Sequence, residues 1–101
     1  MPQRHSVAAV ADLPAGASRA YTVAGQRIAL FNVGGTIHAM DDTCPHAGAP
    51  LSEGRLKGCV VTCPWHAIDF DVTTGCVPGQ AERALATFPV HINGDRVEVE
   101  L

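Results

Sequence analysis

Four side chains suited to binding a soft or borderline metal lie within twenty-three residues: Cys44 and His46 in Cys44-Pro45-His46, then Cys63 and His66 in Cys63-Pro64-Trp65-His66. Thiolate favours iron–sulfur clusters, zinc and cuprous copper, whereas imidazole suits zinc, copper and iron. One Cys-x-His pairing means little in a chain with four cysteines and five histidines. A second pair, sixteen residues further on and again with proline after the cysteine, points to a single metal site. Structural zinc also takes two Cys and two His, but its ligands usually pair like with like, as Cys-x₂₋₄-Cys and His-x₃₋₅-His. Here each loop supplies one thiolate and one imidazole, so a zinc module is one reading and an iron–sulfur centre with mixed ligands is another.

The rest of the chain has to hold two such loops side by side. At 101 residues it is long enough for one modest core, so residues 1–101 are expected to form a single domain with the ligand loops at about 41–80. Hydrophobic residues make up 47% and charged residues 17%, which are globular values, and aromatics at 5% leave the core to Val, Ile, Leu and Ala. The formal net charge of −3 argues against a nucleic-acid partner, which would need a basic face. Between Asp41 and Asp71 five acids (Asp41, Asp42, Glu53, Asp69, Asp71) face only Arg55 and Lys57, and the remainder of the chain sums to zero. Either that region is simply solvated, or an acidic surface near the loops steers a basic partner. No apolar run reaches membrane-spanning length, and Val7 to Ala11 is shorter than a secretory apolar segment. The expectation is a soluble cytoplasmic protein without a membrane role, in a reducing compartment where cysteines more often bind metal than form disulfides.

Short strand-like runs separated by glycine turns, with no convincing helical periodicity, predict an all-β chain. Strands are expected at His5 to Val10, Arg19 to Val23, Gln26 to Val33 and Thr36 to Met40, with hairpin turns at Ala24-Gly25 and Gly34-Gly35. Leu51 to Lys57 reads as loop, Gly58 to Thr62 and Ala67 to Val72 as strands, and Gly75 to Gln80 as a third loop near the site. The last hairpin alternates Phe88, Val90 and Ile92 on one strand with Val97, Val99 and Leu101 on the next, around a turn at Asn93-Gly94. The result is an antiparallel β-sandwich or barrel with the two Cys/His loops inserted as one sub-region.

The run Cys44-Pro45-His46-Ala47-Gly48, sixteen intervening residues, Cys63-Pro64-Trp65-His66, then Phe70-Asp71 and Thr74-Gly75 resembles the Rieske ferredoxin family over most of the chain. The resemblance implies one [2Fe–2S] cluster per chain, with Cys44 and Cys63 on the inner iron and His46 and His66 on the outer iron, their distal nitrogens toward solvent. High-potential relatives carry a disulfide cysteine in each loop, where this chain has Ala49 and Trp65, and a serine where it has Ile68. Without that hydroxyl on a cluster sulfide, the potential is expected near the low end of the Rieske range, roughly −150 mV. Ala67 stands where many relatives have glycine, and its Cβ restricts the loop.

Cys59 reads as core filler and Cys76 as a loop thiol, exposed or packed over the cluster, with a bridge between them disfavoured. His5, His38 and His91 lack ligand spacing and are expected at the surface. Trp65 and Pro78 are placed either to shield the site or simply to pack. A site formally neutral when oxidised and −1 when reduced would make His46 and His66 more basic on reduction, coupling proton uptake to electron uptake at alkaline pH. The chain offers no acid–base pocket and no second iron domain, so it reads as a carrier rather than a complete enzyme. By resemblance it passes single electrons from a flavin-dependent reductase to a terminal aromatic-ring-hydroxylating oxygenase. A small subunit of an assimilatory nitrite reductase is the alternative within the family, and the zinc module the alternative outside it.

Overall fold

The computed structural model describes residues 3–43, 48–65 and 68–101. Among them the strands run β1 (Arg4–Ala9), β2 (Ser18–Val23), β3 (Gln26–Val33), β4 (Thr36–Asp41), β5 (Arg55–Lys57), β6 (Val60–Thr62), β7 (Asp69–Asp71), β8 (Cys76–Val77), β9 (Gln80–Ala84), β10 (Thr87–Phe88), β11 (Val90–Asn93) and β12 (Arg96–Glu100). Short 3₁₀ turns occupy Val10–Asp12 and Leu51–Glu53. Four antiparallel sheets result, ordered β1-β12-β11, β10-β4-β3-β2, β5-β6-β7 and β8-β9.

The four-stranded sheet is the middle layer, because β3 is apolar on both of its faces. Ile28 and Leu30 join Val97, Val99 and Leu13 in a core shared with the sheet of the chain ends. Their neighbours Ala29 and Phe31 point the other way, into a second core with Met40, Leu51, Val61, Cys63, Phe70 and Val72. Successive strand side chains point to opposite faces, so a run with few polar residues can bury both. One core therefore fastens the chain ends to the middle sheet, and the other fastens the ligand region to it. The all-β reading holds, and Gln26–Val33 carries the bounds anticipated for it.

Several expectations need correction. Arg55–Lys57, read as loop, is a strand paired with β6, its lone inward residue Leu56 flanked by exposed Arg55 and Lys57. Gly58 and Cys59 form the turn between those strands rather than part of β6. The supposed third loop is a hairpin, β8 and β9 joined at Pro78-Gly79. Phe88 and Val90 belong to different sheets: Phe88 pairs with Ala39 and Val90 with Val99. Pro89 between them has no N–H to continue a ladder, and the chain changes sheets there. The last turn is Gly94-Asp95, since Asn93 still pairs with Arg96, and only Gly94 has the positive φ, +62°, that a turn with glycine first requires. Ile92, on the edge strand β11, is 55% exposed instead of buried.

Candidate metal centre

Of the four proposed ligands, Cys63 is described, whereas Cys44, His46 and His66 lie outside the described residues, as does Ala67. The stems of both ligand loops are described, and they show how the loops are held. Cys63 follows directly after β6 and is buried beside Val61 and Phe70. Its backbone N–H donates to the Ile68 carbonyl at 2.8 Å, which closes the second loop. The Ile68 side chain packs against the same core, in line with its apolar character.

The first loop is closed by Asp42, the residue after β4. The Leu51 N–H donates to the Asp42 carbonyl at 2.7 Å and the Ser52 N–H to Asp42 Oδ1 at 2.8 Å. Arg27 Nε donates to Asp42 Oδ2 at 3.0 Å. An isolated bridge between Thr43 and Pro50 tightens the same stem, and Ala49 and Leu51 are fully buried behind it. The acidic tally of the ligand region is therefore overstated: Asp42 is a buried, paired charge and not part of any acidic surface. Sequence reasoning counted Asp42 only as a charge. The signal that could have found it is its place at the strand end, directly before the first loop.

Gly54 brings the two stems together. A Cβ on it would strike the Thr62 carbonyl oxygen, and Thr62 immediately precedes Cys63. The exit of the first loop thus lies backbone to backbone against the entry of the second, so the two Cys/His pairs are carried on adjoining stems. An isolated glycine in a strand-like stretch signals such close approach, and that clue was present in Ser52-Glu53-Gly54-Arg55. An open groove runs between the stems, lined by Glu53, Arg55, Thr62, Pro64 and Trp65, with the indole 63% exposed at its rim. Trp65 is therefore a surface residue, not a packed one, and Pro78 is exposed as well.

Cys59 is half-buried at the core margin, and its free thiol approaches Asp71 Oδ2 at 3.9 Å, so it does not bridge to Cys76. Cys76 is a half-buried strand residue whose sulfur lies 3.8 Å from the Thr74 carbonyl. The Asp71 carboxyl is held below its ordinary value of 3.8, first by the Thr73 hydroxyl, against partial burial, then by the Thr73 N–H, the Cys59 thiol and the charge of His38. His5, His38 and His91 are half-buried rather than fully exposed, and His91 Nε2 lies 3.1 Å from Glu100.

A buried thiol at one loop base, on a stem locked to that of a Cys-x-His loop, suits a cluster held by two thiolates and two imidazoles. The arrangement is compatible with a two-loop iron–sulfur carrier on a β-sandwich. Residues 3–89 match the Rieske [2Fe-2S] domain, and the chain belongs to that family. It is 40% identical over 96 residues to the ferredoxin component of the naphthalene 1,2-dioxygenase system of Pseudomonas aeruginosa, spanning 92% of this chain and 90% of that one. It is 42% identical over 96 residues to the 3-phenylpropionate/cinnamic acid dioxygenase ferredoxin subunit of Escherichia coli (strain K12), spanning 91% and 88%. Among solved structures, a chain in the complex of reduced oxygenase and oxidized ferredoxin in carbazole 1,9a-dioxygenase superposes with a TM-score of 0.84 at 34% identity, covering 95% of this chain and 91% of that one. The cofactor is accordingly a [2Fe–2S] cluster and the role electron carriage, which removes the zinc reading. Among the described residues no helix is long and apolar enough to cross a membrane.

Proposed function

We propose that this chain is the ferredoxin component of an aromatic-ring-hydroxylating dioxygenase system, taking single electrons from a flavin-dependent reductase and passing them to the terminal oxygenase. Cys44, Cys63, His46 and His66 hold the cluster, and residues 1–101 act as one cytoplasmic domain that is a carrier and not itself a catalyst. The bound cluster supplies reversible one-electron storage; the chain holds it and presents it to partners. The observation that carries this reading is the joined pair of loop stems, with the exposed Trp65 beside His66 at the rim of an open groove. A large exposed aromatic next to a redox centre suits brief docking, because an aromatic anchor gains much of its contact energy only when covered. Relatives at about 40% identity named as dioxygenase ferredoxins support the partner class.

The test is reconstitution with an oxygenase and a reductase of this class. The purified protein should give a Rieske EPR signal after dithionite and sustain substrate oxidation by the oxygenase. Trp65→Ala should keep the signal but raise the ferredoxin concentration needed for half-maximal turnover roughly 30-fold, the equivalent of about 2 kcal/mol for a central aromatic contact. A colourless protein with stoichiometric zinc would refute the assignment, and an unchanged requirement for Trp65→Ala would refute the docking face.

A further inference from the structure

The sequence Met40-Asp41-Asp42-Thr43 delivers the chain to the first ligand pair, and its second aspartate is unusual for its surroundings. Asp42 is 1% exposed, yet its carboxylate forms an ion pair with Arg27, whose own side chain is 55% exposed. Carboxylates are rarely buried unless paired and hydrogen-bonded, because desolvation disfavours the charge. Asp42 meets that condition in full. Oδ2 accepts from Arg27 Nε, Oδ1 accepts from the Ser52 N–H, the Asp42 carbonyl accepts from the Leu51 N–H, and the Asp42 N–H donates to the Arg27 carbonyl at 3.3 Å. One residue thus ties the entry of the first ligand loop, its exit and the adjacent strand β3 together.

Its position adds an electrostatic consequence. Asp42 is two residues before Cys44 in the sequence, and two residues of chain reach at most about 7 Å. A buried carboxylate at that range acts through low dielectric, whereas the Arg27 guanidinium is largely in water and is screened. The two charges of the pair are therefore screened unequally, the carboxylate less than the guanidinium. We infer that Asp42 is a positioning residue that closes the first ligand loop and also sets the reduction potential through its fixed negative charge, with Arg27 as a weaker counter-charge. The inference rests on the cluster being held by Cys44 and its three partner ligands.

The experiment compares intact cluster-loaded wild type, Asp42→Asn, Asp42→Ala, Arg27→Gln and Arg27→Lys. Midpoint potentials come from EPR-monitored titration, and cluster retention from the bleaching rate in chelator. Asparagine keeps an oxygen for the Ser52 N–H but removes the charge, so Asp42→Asn should raise the potential and leave bleaching within about threefold of wild type. Asp42→Ala should raise it too and bleach at least ~10-fold faster, because a buried N–H then has no acceptor. Arg27→Gln should lower the potential by a smaller amount, and Arg27→Lys should restore the wild-type value. A structural effect alone would move Asp42→Asn and Arg27→Gln the same way, so shifts of the same sign, or none, overturn the inference. If Asp42→Asn holds no cluster, equal potentials for Arg27→Gln and Arg27→Lys overturn it instead. Absence of the Rieske signal from wild type would overturn the cofactor assignment itself, a failure distinct from that of the Asp42 argument.

Discussion

Replacing Gly54 with alanine should damage the metal centre, because it forces apart the two stems that carry the Cys/His loops. The backbone at Gly54, φ −76° and ψ 177°, is open to any residue, so the cost comes from contact and not from torsion. The new Cβ would collide with the Thr62 carbonyl oxygen and meet the Leu51 oxygen and the Thr62 carbonyl carbon at 3.1 Å each. All three are backbone atoms, and no flexible side chain can yield. Thr62 is further fixed by its pairing with Arg55 and by its hydroxyl, which donates to Asp69 at 2.7 Å. The stems must therefore separate by on the order of 1 Å to restore van der Waals contact. Overpacking of this kind costs about 1–3 kcal/mol, and a weakened ladder hydrogen bond adds about 1 kcal/mol. For a domain of this size about 2–4 kcal/mol lowers Tm by roughly 10–25 °C. Gly58→Ala is the control. Its φ of +61° disfavours alanine, but nothing lies within 4 Å of the added Cβ. It should cost about 1 kcal/mol and leave the cluster intact. Thermal unfolding of the holo-protein by circular dichroism, with EPR of the same samples, reads both effects. A Gly54→Ala protein melting within about 3 °C of wild type with an unchanged EPR signal would refute the joined-stem argument.

Two further outcomes follow from named side chains. Asp71 has a folded-state pKa below its ordinary 3.8, so the unfolded chain binds the proton more readily; its contribution is present above that value and is lost as pH falls through the lower folded pKa. Urea unfolding followed from about pH 5 to about pH 3 should give a shallower acid loss for Asp71→Asn than for wild type, and parallel profiles would contradict the assignment. Ile68→Ser would place a hydroxyl two residues beyond His66, where an alkyl group now packs against the core. One hydrogen bond to a charged acceptor, about 1.5–3 kcal/mol, corresponds to a rise of roughly 60–130 mV from a wild-type value near the low end of the Rieske range. A wild-type potential above about +100 mV, or no rise in the variant, would count against the low-potential reading.

Much of this was legible in the residues because it is local. Ligand type and order are read along the chain, and thiolate and imidazole have the same metal preferences wherever the backbone takes them. Gln26–Val33 and the Val97/Val99 alternation likewise identified themselves, since a strand's side-chain period belongs to the strand alone. Other features depend on what lies across from a residue. Arg55–Lys57 is too short and too charged to show a pattern, and it is a strand because β6 pairs with it. Ile92 alternates correctly yet sits on an edge strand, where water covers it. Asp42 looked like one more surface acid, and only the approach of Arg27 and Ser52, fifteen and ten residues away in sequence, makes its burial affordable. Sequence by itself thus pointed to the cofactor, through four candidate ligands whose type and order are local, and the family match agrees with it. The tertiary structure decided how the loops are held, with Asp42 closing one, Ile68 the other and Gly54 joining them, because burial and close contact are properties of neighbours brought together by folding.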